Sequence, residues 1–328
     1  MRKGLEFIYF TESGGELAEA LAKQLGGKSH RMGEGVRLTD WTAEYFPACE
    51  GLVFVGAVGI AVRAIAPLLT SKTEDPAVVC VREDGRFVIP LLSGHLGGAN
   101  ALAERIAGVT GGAAVITTAT DLRGVFAVDL WAKKQGLRIL QPERIREVSG
   151  KLLRGERITV SSPWPIAGRP PENVTTGENG DVRISWSRSD TGALQLMPCA
   201  LYLGIGCRRG TEMRTLESAF RQFCEERDIL PQAICEAASV DAKRDEDGLL
   251  AFCGNQSWPI RFYSAEELRS VQGEFTSSAF VEKQVGVDNV CERAAVLRSA
   301  GCLAEKKYTA EGVTFALANA PLQLDWSW

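Results

Sequence analysis

Short apolar runs separated by amphipathic stretches set the frame of the chain. Over the first 140 residues, Leu5 to Phe10, Gly51 to Val55, Ala77 to Val81, Ala113 to Ile116 and Leu137 to Leu140 read as strands. Between most of them, Glu16 to Leu25, Ile60 to Leu69, Leu96 to Val109 and Val125 to Gln135 place apolar residues at i, i+3 and i+4. This alternation predicts βα units around a mainly parallel sheet with helices on both faces. Glu83-Asp84-Gly85, lying between two strand-like runs, predicts one hairpin.

The texture changes from Gly150 to Pro198, where five prolines fall in one segment and only Arg157 to Val160 and Val182 to Trp186 have strand character. Pro163, Pro165, Pro170 and Pro171 restrict the backbone to extended or turn conformations, so a bridging element is expected here. A second α/β pattern follows. Its strands are expected near Leu201 to Ile205, Pro259 to Phe262 and Val313 to Ala318, and its helices near Glu212 to Glu226, Ala265 to Val271 and Asn289 to Ser299. The predicted organisation is an N-terminal α/β domain over residues 1–141, a small Pro-rich bridge over 142–198, and a C-terminal α/β domain over 199–328. Two unlike lobes are expected to leave a cleft for a ligand.

Composition narrows the function classes. With 45% hydrophobic and 24% charged residues the chain reads as an ordinary globular protein, and its formal charge of -4 argues against a nucleic-acid binder. An anionic ligand must then be caught by local groups. The apolar run at the N-terminus is too short for the core of a signal peptide, and no uncharged run approaches the roughly 20 residues of a membrane span, so a cytoplasmic protein is expected. Nine cysteines are scattered without a CxxC pattern, which excludes the usual zinc and iron–sulfur spacings and predicts mostly buried, reduced thiols. No metal ligand is expected.

Candidate chemistry collects at strand-to-helix junctions. In LVFVGAVGIAVR, Gly56 and Gly59 would let an anion approach free helix-start amides, with Arg63 and the nearby Lys72 as counter-charges, although a tight turn uses glycine for geometry alone. FVIPLLSGHLGGAN is richer. It surrounds His95, one of two histidines, with Ser93, Gly94, Gly97, Gly98 and Asn100, joining a group that titrates near neutral pH to hydroxyl and amide donors. His95 as a helix cap is the bland alternative. The other histidine, His30, falls in a polar connection. In VITTATDLRGVFAVD, Thr117, Thr118, Thr120 and Asp121 end another strand and could converge with the previous two junctions if strand C-termini share one edge. Asp129, further on, reads as structural or as a contact with another element.

In the C-terminal half, LYLGIGCRRGT imitates a dinucleotide fingerprint through Gly204, Gly206 and Gly210, but carries an extra residue before the last glycine and lacks the acidic strand end that follows such a motif. Arg208, Arg209 and Thr211 there make a generic anion site. Cys207 could be a nucleophile beside those arginines. Asp241, Lys243, Ser277, Ser278, Glu292, Lys306 and Lys307 are polar residues near element ends, each readable as solvated or capping.

Taken together, GAVGIAVR, KTEDPAVV, FVIPLLSGHLGGAN, VITTATD, LGIGCRRGT, SVDAK and SSAFVEKQVGVDNVCERAA resemble the CbiG family of cobalamin-biosynthesis proteins, the cobalt-precorrin-5A hydrolases, over nearly the whole chain. The resemblance implies hydrolysis of the δ-lactone of a cobalt-containing, ring-contracted corrinoid, with release of acetaldehyde and formation of cobalt-precorrin-5B. It implies cobalt carried by the substrate, no further cofactor, and at most neighbouring pathway enzymes or a second copy as protein partners. On this reading His95 is general base or acid, oriented by Asp121, with Glu292 as the alternative base. Ser93, Asn100 and the Gly97 and Gly98 amides are oxyanion or carboxylate donors. Gly56, Gly59, Arg63, Lys72, Gly94, Thr117, Thr118, Thr120, Gly206, Cys207, Arg208, Lys243 and Ser278 complete the expected substrate site. The rival readings are a non-catalytic corrinoid carrier or scaffold, and a nicotinamide-dependent oxidoreductase.

Overall fold

The computed structural model describes residues 3–33, 35–71, 74–118, 124–188 and 192–328. It divides into two compact units, the first made of Met1–Lys133, Ser149–Glu156 and Trp328, the second of Lys134–Val148 and Arg157–Ser327. No described helix is long and apolar enough to cross a membrane.

The first unit is built on β1 (Lys3–Tyr9), α1 (Glu12–Leu25), β2 (Gly27–Arg31), α2 (Leu38–Tyr45), β3 (Cys49–Val55), α3 (Val58–Ile65), β4 (Ala77–Val81), β5 (Phe87–Leu92), α4 (Ala99–Thr110) and β6 (Ala113–Ala114). The sheet order is β2-β1-β3-β4-β5-β6. Successive side chains of a strand point to opposite faces, and β3 shows the result. Val53 and Val55 pack with Leu21 of α1 and Leu102 of α4. Leu52 and Phe54 pack with Trp41 of α2 and with Ala61 and Ile65 of α3. Helices cover both faces, so β3 reads as a continuous apolar run rather than an alternating one.

The predicted hairpin is present and redirects the site. β4 runs parallel to β3, whereas β5 runs antiparallel to β4 and β6 parallel to β5. The end of β5 therefore lies beside the start of β4, with Leu92 paired to Val78, at the edge opposite the end of β3. Between those pairs the register slips, leaving Leu91 as the extra residue next to Pro90, a bulge that suits a residue without an N–H.

β2 was not visible in the hydrophobic pattern. Its sequence, GKSHR, is polar because it forms the outer edge, and it corrects the placement of His30 in a connection. His30 Nε2 lies 2.7 Å from the Glu6 carboxylate, and its ring packs on Trp41 and Tyr45.

A further helix, α5 (Val128–Lys134), leads to β7 (Leu137–Ile139). That strand, expected in the first sheet, pairs antiparallel with β12 instead. After α6 (Ile145–Leu153) come β8 (Ile158–Ser161), β9 (Ile166–Ala167), β10 (Val174–Thr176), β11 (Val182–Ile184) and β12 (Leu194–Pro198). The segment expected to bridge thus carries four strands of a five-stranded sheet, ordered β10-β8-β11-β12-β7, with Ile158, Val160, Val182, Ile184 and Leu196 buried. Pro163, Pro165, Pro170 and Pro171 fall outside its strands, as the missing N–H requires.

The third sheet is ordered β15-β14-β13-β17-β16. Its elements are β13 (Leu201–Gly206), α7 (Met213–Glu226), β14 (Ile234–Val240), α8 (Asp247–Asn255), β15 (Ile260–Tyr263), α9 (Ala265–Ser270), α10 (Ala279–Val285), α11 (Cys291–Ser299), β16 (Cys302–Ala310) and β17 (Val313–Asn319). A short β18 (Leu324–Asp325) pairs with β9. One face buries Phe220, Phe223, Phe252, Trp258 and Phe315 in largely edge-to-face contacts. The other face takes α11 so closely that a Cβ on Gly204 would meet the Cys291 carbonyl oxygen. Gly204 therefore serves helix–strand packing rather than a pyrophosphate. β14 and α8 escaped the sequence reading because ICEAASV mixes Cys, Glu and Ser into a strand whose Ser239 is fully buried and donates to the Ile205 carbonyl at 2.7 Å.

Candidate functional site

In the first unit the segment from Ser93 to Gly98 folds back on itself before α4. The Gly98 N–H donates to the His95 carbonyl (3.0 Å), Ala99 to Ser93 (3.1 Å) and Asn100 to Gly94 (3.0 Å). A Cβ on Gly97 would lie 2.2 Å from the Ser93 Cβ, so only glycine closes this turn. Ser93 takes a left-handed φ of 57°, uncommon for a non-glycine residue. Its hydroxyl oxygen is buried and has no hydrogen-bond partner among the described residues. The internal bonds correct one expectation: the Gly98 amide and those of Ala99 and Asn100 close the turn and are not aimed at a ligand.

His95 is held by α5. Its Nδ1 lies 3.2 Å from Asp129 Oδ2, with the two side chains 12% and 11% exposed. One turn further along the same face, Lys133 Nζ donates to the Leu96 carbonyl at 2.7 Å. Asp129 and Lys133 are spaced i, i+4, which brings both to the same loop. A carboxylate accepts from an imidazole N–H, so this contact orients the ring and favours the tautomer with its proton on Nδ1. Asp129 was legible only as structural or as a contact with another element. The signal was an acid inside the apolar run FAVDLW, since an unpaired carboxylate is almost never buried.

Among the other junction residues, Asn100 Nδ2 donates to Thr118 Oγ1 at 2.9 Å, so the segment after β6 does reach the His95 turn. Thr117, next to it, is exposed. Asp121, Thr120 and Lys72 lie outside the described residues. Gly56, Gly59 and the start of α3 do not converge with His95, because the hairpin puts them at the opposite edge of the sheet. The Gly56 N–H is taken by the Val81 carbonyl at 2.9 Å, Gly59 sits within α3, and Arg63 is exposed on that helix.

In the second unit a cavity of about 670 Å³ opens at the carboxyl ends of β13 and β14, the usual ligand position of parallel strands. It gathers five of the expected residues, Gly206, Cys207, Arg208, Lys243 and Ser278. Arg209 and Lys307 join them. Val240, Val281, Val285 and Val290 supply apolar wall, and among the described residues no carboxylate lines the cavity. Burial pushes the Cys207 thiol up, with Glu246 adding to that and Lys243 opposing it. That environment does not favour the thiolate that a nucleophilic role would need.

Lys243 Nζ lies 3.1 Å from Glu246 Oε1, and the other Glu246 oxygen accepts the Gly210 N–H at 2.7 Å. The adjoining space around Arg209 and Thr211 is lined by Glu212, Asp245, Glu246 and Asp247, which does not suit the anion site expected there.

Glu292 is fully buried beside the cavity, and its oxygens are occupied. Oε1 accepts from Thr276 Oγ1 (2.8 Å) and the Lys307 N–H (2.7 Å). Oε2 accepts from the Thr276 N–H (2.6 Å) and Asn289 Nδ2 (2.8 Å). Four donors fill the acceptor sites of a carboxylate, an arrangement that fixes Lys307 and Asn289 in the wall rather than one that takes a proton from water.

Three family models match the chain: cobalamin synthesis G N-terminal over residues 40–121, cobalamin biosynthesis central region over 126–203, and cobalamin synthesis G C-terminus over 201–318. A cobalt-precorrin-5A hydrolase of Salmonella typhimurium is 36% identical over 292 residues, covering 84% of this chain and 83% of the relative. The enzyme of the same description from Priestia megaterium is 31% identical over 302 residues, covering 84% and 80%. The crystal structure of a cobalamin biosynthesis protein G homolog from Sulfolobus solfataricus aligns over 96% of this chain and 97% of its own, with 21% identity and a TM-score of 0.40.

Proposed function

The chain belongs to the cobalamin synthesis G family, and from that premise we propose that it is a cobalt-precorrin-5A hydrolase, which opens the δ-lactone of a ring-contracted corrinoid and releases acetaldehyde. Cobalt enters with the ring as part of the substrate. The observation that carries the substrate class is the cavity of the second unit: Arg208, Arg209, Lys243 and Lys307 stand around valine walls with no acid among the described lining residues, in a chain of net charge -4. Local cations against the protein's overall charge suit a ligand that is itself a large apolar ring fringed with carboxylates.

His95 is the proton-transfer group. Its imidazole takes a proton from water as the oxygen attacks the lactone carbonyl, and Asp129 stabilises the resulting imidazolium through Nδ1. The tetrahedral intermediate breaks at the ring oxygen to give a carboxylate and an alkoxide. The alkoxide forms the aldehyde carbonyl as its carbon–carbon bond to the macrocycle breaks, and the bond electrons pass into the conjugated ring. The Ser93 hydroxyl, buried and without a partner among the described residues, is the donor on this reading to the developing oxyanion.

Anaerobic incubation of the pure protein with cobalt-precorrin-5A, trapping the volatile aldehyde and following product mass, tests the reading. Acetaldehyde in step with loss of the lactone is expected. Tight corrinoid binding without aldehyde would make the protein a carrier instead.

A further inference from the structure

One pair of thiols takes no part in either site. Cys199 lies between the end of β12 and the start of β13 and is exposed, while Cys235 is half-buried in β14. Their sulfurs are 2.7 Å apart, within 1 Å of the roughly 2.05 Å of a disulfide bond. The backbone is arranged for this meeting. In the parallel pairing of β13 with β14, Leu201 faces Ile234 and Tyr202 faces Glu236, so Cys235 is the extra residue of a bulge. Bulges re-aim one side chain and are rare between parallel strands.

We propose that Cys199 and Cys235 form a reversible disulfide by thiol–disulfide exchange, a modification site independent of corrinoid hydrolysis. The oxidant is a small-molecule disulfide such as oxidised glutathione. Cys199 as thiolate attacks one sulfur of that disulfide, breaking its S–S bond and expelling one thiolate. Cys235 then loses its proton and attacks the Cys199 sulfur of the mixed disulfide, expelling the second thiolate. Two protein thiols and one small disulfide become one protein disulfide and two small thiols, and the reverse sequence restores the dithiol.

The surroundings assign the roles. A hydrogen bond from Cys235 brings the Cys199 thiol down to about 7, against the opposing effect of burial. The same bond, with burial, pushes Cys235 up. Cys199 is thus both the exposed member and the thiolate. Tyr202, Glu236 and Arg298 are the other titratable groups near the pair, and Arg298 is committed to the Glu236 carboxylate and to the face of Tyr202. The bond would tie the chain leaving the second sheet to the second strand of the third, closing a span of 36 residues. Oxidation should raise the Tm on the order of 5 °C.

The full chain is equilibrated in glutathione buffers of increasing oxidising power, quenched with acid, denatured and alkylated. At the oxidising end, reactive thiols should fall by two from nine, and peptide mass mapping should join Cys199 to Cys235. Nine alkylated thiols, a stable glutathione adduct at Cys199, or a bond from Cys199 to Cys302 would each overturn the proposal. In a second measurement, Cys235→Ala should move the pH midpoint of Cys199 alkylation up from about 7 toward the roughly 8.5 of an ordinary thiol. An unchanged midpoint would show that the two sulfurs do not interact.

Discussion

Asp129 Oδ2 and His95 Nδ1, 34 residues apart in sequence, meet at 3.2 Å with both side chains largely buried. The contact makes α5 the support of the His95 turn, because Lys133 of the same helix holds the neighbouring Leu96 carbonyl. Asp129→Asn keeps the size of the side chain but can present its NH₂ group to Nδ1 and reverse the tautomer. Turnover should fall about 10²-fold or more with little change in KM, measured as single-turnover acetaldehyde release. His95→Ala should lose at least as much and still bind the corrinoid, and undiminished turnover would return His95 to a structural role.

Ser93 separates a turn role from a site role. Its φ of 57° suits glycine, and its buried hydroxyl has no partner among the described residues, so no described hydrogen bond accounts for serine here. Ser93→Gly should therefore unfold at the same denaturant concentration or a higher one, within about 1 kcal/mol of the parent. Turnover should drop about 10-fold or more if the hydroxyl donates to the oxyanion. Equal turnover would leave the residue as part of the turn.

The sequence shows both α/β halves, the hairpin and the His95 turn because each depends on short-range patterns, periodicity within an element or a turn residue between two. What it conceals is direction and partnership. Glu83-Asp84-Gly85 announces a hairpin, but only the pairing of Val78 with Leu92 shows that this hairpin carries Ser93 and His95 away from Gly56. Polar GKSHR and mixed ICEAASV hide strands, since an edge strand needs no apolar alternation and a central one can bury a bonded serine. Glu292 and Lys243 look alike in sequence. Their roles diverge only through the donors that reach one and the cavity that opens beside the other.

Cations in the second-unit cavity should govern affinity rather than chemistry. Lys307→Met and Lys243→Met each remove one charge from a wall without acids, and each should raise KM about 10-fold with kcat nearly unchanged. The effect should shrink as salt is added to the assay, because partly exposed ion pairs are screened. Equal loss of kcat and kcat/KM would put these lysines in the transition state instead.

Glu246 links that wall to acid stability. Burial pushes its carboxyl up, but the Gly210 N–H, Lys243 and Arg209 together hold it below its usual 4.5. A carboxylate lowered on folding stabilises above its unfolded value and loses that contribution as pH falls through the folded one. Glu246→Gln should thus lower Tm near neutral pH, and the gap between parent and variant should close below about pH 4 in a thermal titration. A gap that widens on acidification would contradict the assignment.

Glu292 offers the sharpest separation of anchor from catalyst. Each of its oxygens accepts one backbone N–H, Lys307 on Oε1 and Thr276 on Oε2. Glu292→Gln must turn its NH₂ group toward one of those two N–H groups whichever way the amide is placed, since neither backbone donor can rotate away. A buried donor is then left facing a donor, which should cost about 2–4 kcal/mol. The Tm should fall by roughly 4–10 °C, and any residual activity should show a raised KM, because Lys307 and Asn289 line the second-unit cavity. A general base would behave in the opposite way: the amide would fold as stably as the acid and lose turnover with KM unchanged. Denaturation and steady-state kinetics on one preparation therefore decide between the two roles, and the four donors at 2.6–2.8 Å predict the first.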